Sequence, residues 1–151
     1  MGHPHLPTTE AVVVAIHEVA HEFDLEMVVT DDIGADQTSR RVSAGAFTVL
    51  DPDGSLPHEA FVELGGLPSV TVQVFPEDDA KITVDQVEFH DVPRDAVPAF
   101  LRSVYGGLAH VKGKRFPPGY WLVVPLPGDE TYRELVPRIM LSPWLARNVR
   151  R

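Results

Sequence analysis

A chain of 151 residues, 44% hydrophobic and 23% charged, has the length of one ordinary domain and enough apolar side chains to build a core without covalent staples. The lack of cysteine excludes a disulfide framework, a thiolate metal site and a cysteine nucleophile. A formal net charge of −9 disfavours phosphate backbones and anionic membranes, and it steers basic partners inward.

That charge is unevenly spread. Residues 1–100 carry a net −15, whereas residues 101–151 carry +6. No apolar run approaches the roughly 18 residues that a membrane span needs. The opening MGHPHLPTTE has neither the basic start nor the apolar stretch of a signal peptide, so a cytoplasmic location is expected.

Residues 1–8 read as a flexible tail and residues 9–151 as a single α+β domain. Thr8 is the expected N-cap of a long first helix, with Glu10 in its first turn. Over Val12–Met27, the residues Val12, Ile16, Val19, Ala20, Phe23 and Met27 recur at three- and four-residue intervals and make one apolar stripe. His17, Glu18, His21, Glu22 and Asp24 fall on the opposite side. Residues 30–38 are loop by composition.

Strand signals follow at 41–50, 59–64, 69–75 and 81–90, separated by turn residues such as Asp51-Pro52-Asp53-Gly54 and the acidic Pro76-Glu77-Asp78-Asp79. In the segment 81–90 the apolar parity breaks between Val84 and Val87, which predicts a bulge at Asp85-Gln86. Pro93 opens a second helix whose apolar face is Val97, Phe100, Leu101 and Val104, and Gly106-Gly107 stops it. Residues 108–112 and 120–126 read as strands, 131–136 is ambiguous between strand and helix, and Ser142-Pro143 caps a short last helix. The expected architecture is an antiparallel meander of five or six strands, with the first two helices packed on one face.

Two stretches could carry function. His17-Glu18-Val19-Ala20-His21 spells H-E-x-x-H, in which two imidazoles one helical turn apart grip zinc and the glutamate activates a metal-bound water. This one turn resembles the zincin metallopeptidases. The resemblance implies His17 and His21 as zinc ligands and Glu18 as general base. Where the extended form of that family has glycine and a third histidine, this chain has Asp24 and Met27, and a third ligand would have to come from Asp31, Asp32, His58, His90 or His110.

The second stretch, HVKGKRFPPGYW at 110–121, interleaves cations with aromatics. Tyr, Trp and Arg dominate protein interfaces. Arg115, Phe116, Tyr120 and Trp121 are therefore the expected anchors, with Glu77, Asp78 and Asp79 as an acidic steering patch. Basic-plus-aromatic loops also stack nucleobases, but the acidic body weighs against nucleic acid. The expected function is protein–protein binding without cofactor, as in an immunity-type neutraliser or inhibitor of a basic partner enzyme. The alternative is a zinc-dependent hydrolase built on His17, Glu18 and His21.

Overall fold

The computed structural model describes residues 3–32, 40–43, 59–76, 79–115, 118–137 and 141–150, and it shows an α+β fold. The first helix, α1 (Thr9–Glu22), starts at Thr8, whose hydroxyl accepts a hydrogen bond from the Ala11 amide at 3.0 Å. Val12, Val13, Ile16, Val19 and Ala20 are buried along its inner face. The helix ends one turn before the apolar periodicity does. Asp24 adopts φ 56°, and the Leu25 amide reaches back to the Ala20 carbonyl at 2.8 Å, a left-handed cap that more often uses glycine. Met27, expected on the helix stripe, is instead buried in strand β1 (Glu26–Asp32). That strand also takes in the first part of the expected loop.

Strands β2 (Arg40–Ser43), β3 (Glu59–Gly65), β4 (Val70–Val74), β5 (Asp79–Val84) and β6 (Val87–Pro93) join β1 in a six-stranded antiparallel sheet of order β2-β1-β3-β4-β5-β6. From β3 onward it is the expected meander. Strand β2, by contrast, lies outside β1, so the chain returns to pair β3 with the other side of β1. The turn at 51–54 lies outside the described residues.

Asp85-Gln86 is a tight turn and not a bulge: β5 ends at Val84, β6 begins at Val87, and Asp85 takes φ 53°. The two residues simply close a hairpin in which Val84 pairs with Val87. The irregularity lies further along. Ala80 pairs with Val92 and Ile82 with Phe89, which places one extra residue in β6, where Asp91 has φ 57°. The bulge keeps Phe89 and Val92 both buried despite their odd spacing.

A 3₁₀ turn (Arg94–Ala96) leads into α2 (Val97–Tyr105), whose Val97, Phe100, Leu101 and Val104 are buried as the spacing predicts. Its end is marked by Gly106 at the cap and Gly107 at φ 86°. The remaining strands do not extend the first sheet. Strands β7 (His110–Lys114), β8 (Gly119–Pro125), β9 (Thr131–Leu135) and β10 (Val149–Arg150) form a second sheet of order β10-β7-β8-β9, with β10 parallel to β7. The short helix α3 (Pro143–Arg147) precedes β10, and the Ser142 hydroxyl caps it by accepting from the Leu145 amide.

One hydrophobic cluster runs through both sheets. Phe100 links them: its ring meets Phe89 of β6 edge-on at 5.0 Å and Tyr132 of β9 at 5.8 Å. Polar ties support the junction. The Ser142 hydroxyl donates to Asp85 at 2.7 Å, which ties the α3 cap to the β5–β6 turn. The buried Arg94 guanidinium donates to the carbonyls of Pro7 and Pro76, both at 3.0 Å, and so joins the N-terminal segment to the turn after β4. Among the described residues, no helix is long and apolar enough to cross a membrane.

Candidate binding face

The second sheet has two unlike faces because side chains alternate along a strand. Val111, Leu122 and Val124 turn inward and are buried in the core. The opposite parity carries His110, Lys112 and Lys114 on β7, Trp121 and Val123 on β8, Arg133 and Leu135 on β9, and Arg150 on β10. Pro125 and Thr131 share this parity, and four of the ten side chains are those of lysine or arginine. The only carboxylate on the four strands, Glu134, pairs with Leu122 and therefore belongs to the other parity. The face is thus positive in a chain that is negative overall.

Trp121 sits at its centre and is partly exposed. Lys112 and Leu135 are its direct neighbours across β7 and β9. Cations reach its ring from both flanking strands: Lys114 Nζ lies 5.3 Å from the ring centroid and the Arg133 guanidinium carbon 4.9 Å. Contacts of this kind contribute about 0.5–1 kcal/mol each at exposed sites. They favour the rotamers that keep both cations on this face. Leu135, 46% exposed, adds apolar surface beside the ring.

The pairing of Lys112 with Arg150 across β7 and β10 sets two like charges at partner positions. Like charges placed opposite each other destabilise a strand pair. A hollow of about 540 Å³ opens beside this pair, lined by His110, Lys112, Gly113, Val149 and Arg150.

The expected anchors are divided between two sides of the sheet. Tyr120 has the parity opposite to Trp121 and, with Lys114 and the exposed Arg115, lines a second hollow of about 440 Å³ at the β7–β8 turn. Phe116, Glu77 and Asp78 lie outside the described residues. Asp79 is exposed at the start of β5, on the first sheet, so it belongs to a different surface from Trp121. Sequence reasoning did not select Arg133, Leu135 or Arg150. Arg133 and Leu135 show a two-residue period with Thr131, the only sequence signal for them. Arg150 gave none, because the last strand is only two residues long.

His17 and His21 lie one turn apart on α1, with the intervening Val19 and Ala20 turned into the core. Glu18 lines a shallow cleft of about 310 Å³ with Pro4, Leu6, Val14, Pro98 and Arg102. Glu22 is bound to α2, accepting from Arg102 Nε at 3.0 Å. Among the described residues, no third histidine, aspartate or glutamate joins these groups into a set that could hold a metal ion. Asp31, Asp32 and His58 carry no described side chains. His90 is placed beside Glu88 on β6, and His110 lies on the second sheet.

Two tyrosines have raised pKa values. Burial, followed by the negative charge of Asp85, pushes Tyr105 well above the usual phenol range, and its hydroxyl donates to the Pro68 carbonyl at 3.1 Å. Tyr132 is pushed up to about 12, first by burial and then by donating to the Glu130 carboxylate at 3.0 Å. Neither group is placed for proton transfer at neutral pH. Comparison of the chain with family models, with curated proteins and with solved structures finds no match to any.

Proposed function

We propose that the protein acts by binding another protein, with the outer face of the second sheet as its anchor. One observation carries this reading: a partly exposed tryptophan held between cations on an open sheet face, beside the facing pair Lys112 and Arg150. Partly exposed Trp and Arg with apolar surface between them are the groups that concentrate binding energy at protein interfaces. The net −15 of residues 1–100 supports a partner with a basic body, drawn in at long range and fixed at short range by the Trp121 face. A neutraliser of the immunity type, which occludes a basic enzyme, suits that division of labour.

The test is affinity isolation from the cells that encode the chain, comparing the wild type with Trp121→Ala and with Glu18→Gln. A partner retained by the wild type and by Glu18→Gln, but lost with Trp121→Ala, is the expected result. A partner unaffected by Trp121→Ala, or lost with Glu18→Gln, contradicts the reading.

A further inference from the structure

The geometry points to the chemistry of the segment that docks on this face: we propose that it is an acidic stretch of the partner protein, rich in Asp and Glu, with an apolar side chain among the carboxylates. The inference rests on the binding reading above and adds the sign and character of the contact.

Among the described residues of the second sheet, the cations of this face have no carboxylate beside them on the strands. Lys112, Lys114, Arg133 and Arg150 share one face of four short strands on which no carboxylate has the same parity. Lys112 and Arg150 stand at partner positions, where one carboxylate can reach both, and a hollow lined by His110, Lys112, Gly113, Val149 and Arg150 lies alongside. Lys114 and Arg133 lie over the Trp121 ring, which biases their donors toward this face before a ligand arrives. Preorganised donors bind with less loss of side-chain freedom.

The apolar part of the occupant follows from Trp121 and Leu135. They pair across β8 and β9, and the 46% exposed Leu135 offers apolar surface beside the cations. A peptide can present both carboxylates and a hydrophobic side chain at strand spacing. A single-stranded nucleic acid would instead need an open aromatic face for stacking. The Trp121 ring already has a cation from each flanking strand. A second copy of the chain would bring acidic residues too, and sedimentation distinguishes that occupant from a partner's segment.

The experiment titrates the full-length protein with poly-L-glutamate at low ionic strength and follows tryptophan fluorescence. A thymidine oligonucleotide of equal charge is titrated in parallel, and sedimentation monitors self-association. The variants are Lys112→Glu/Arg150→Glu and the milder Lys112→Gln/Arg150→Gln, with circular dichroism to establish that each is folded. Poly-L-glutamate is expected to bind, to be displaced by salt, and to lose about tenfold or more in affinity on charge reversal, with a smaller loss in the neutral pair. The inference is overturned if poly-L-glutamate does not bind or binds the reversed variant equally well. It is also overturned by tighter, Trp121-dependent binding of the oligonucleotide, or by salt-sensitive self-association that charge reversal abolishes. A Trp121-dependent partner that poly-L-glutamate fails to displace would defeat this inference alone. Absence of any Trp121-dependent partner would defeat the binding reading itself.

Discussion

Replacing Phe100 tests whether one ring holds the two sheets together. Its side chain has no exposed surface and meets Phe89 of the first sheet at 5.0 Å and Tyr132 of the second at 5.8 Å. Truncating a buried phenylalanine to alanine costs about 3–5 kcal/mol, because the lost transfer energy adds to that of the cavity left behind. The pair with Phe89, worth about 0.5–1.5 kcal/mol beyond its buried area, places Phe100→Ala in the upper part of that range. Phe100→Leu keeps most of the volume and is expected to cost only about 1–2 kcal/mol. For a chain of this length each kcal/mol lowers the melting temperature by about 2–4 °C.

The assay is urea unfolding followed by far-ultraviolet circular dichroism, with fluorescence of the two tryptophans in parallel. Both tryptophans belong to the second-sheet half, Trp121 on β8 and Trp144 on α3. If Phe100 couples the halves, both probes move together to lower urea and the slope of the transition is preserved. A loss below about 1 kcal/mol would refute the reasoning. Separation of the two probes in the wild type would refute it as well, since the sheets would then unfold independently.

Two further outcomes follow from the geometry. The raised pKa of Tyr132 belongs to a phenol that is neutral in the fold, so the stability it contributes is complete below the ordinary phenol range. That stability is lost as pH rises through about 12. A tyrosinate absorbance titration should show two late phenols, of which Tyr132→Phe removes the one at about 12 and leaves that of Tyr105; if the substitution leaves the phase at about 12 unchanged, the assignment is wrong. For α1, dialysis of untagged protein against zinc should leave no stoichiometric metal, because His17 and His21 gain no third ligand among the described residues. About one zinc per chain, lost in His17→Ala/His21→Ala, would restore the hydrolase reading.

Much of this fold was legible in the sequence, for identifiable reasons. The helix N-caps at Thr8 and Ser142, the alternation in Val70–Val74 and the buried spacing of Val97, Phe100, Leu101 and Val104 are local signals, and the structure repeats them. What the sequence hid depends on backbone conformation or on distant pairing. Asp24, Asp85 and Asp91 all take positive φ, and without glycine at those places the end of α1, the β5–β6 turn and the β6 bulge carry no clear mark. The division into two sheets is a matter of which strands pair, and no short-range pattern encodes it.

The site was legible to the same degree. Trp121 with its neighbouring cations stood out in one stretch, but the face is completed by Arg133, Leu135 and Arg150 from strands that reach it only through the pairing of β9 and β10. Strand parity also separated Tyr120 from Trp121, adjacent in sequence yet on opposite sides of β8. A run of interleaved basic and aromatic residues therefore points to the proposed face without giving its composition.

The most direct test of the account is amide hydrogen exchange on the chain with and without the partner isolated through its Trp121 dependence. Slowed exchange centred on β7, β8 and β9, with α1 and α2 unchanged, is the predicted footprint. Protection confined to α1 and α2, with the second sheet exchanging as in the free protein, would contradict the assignment of the binding face.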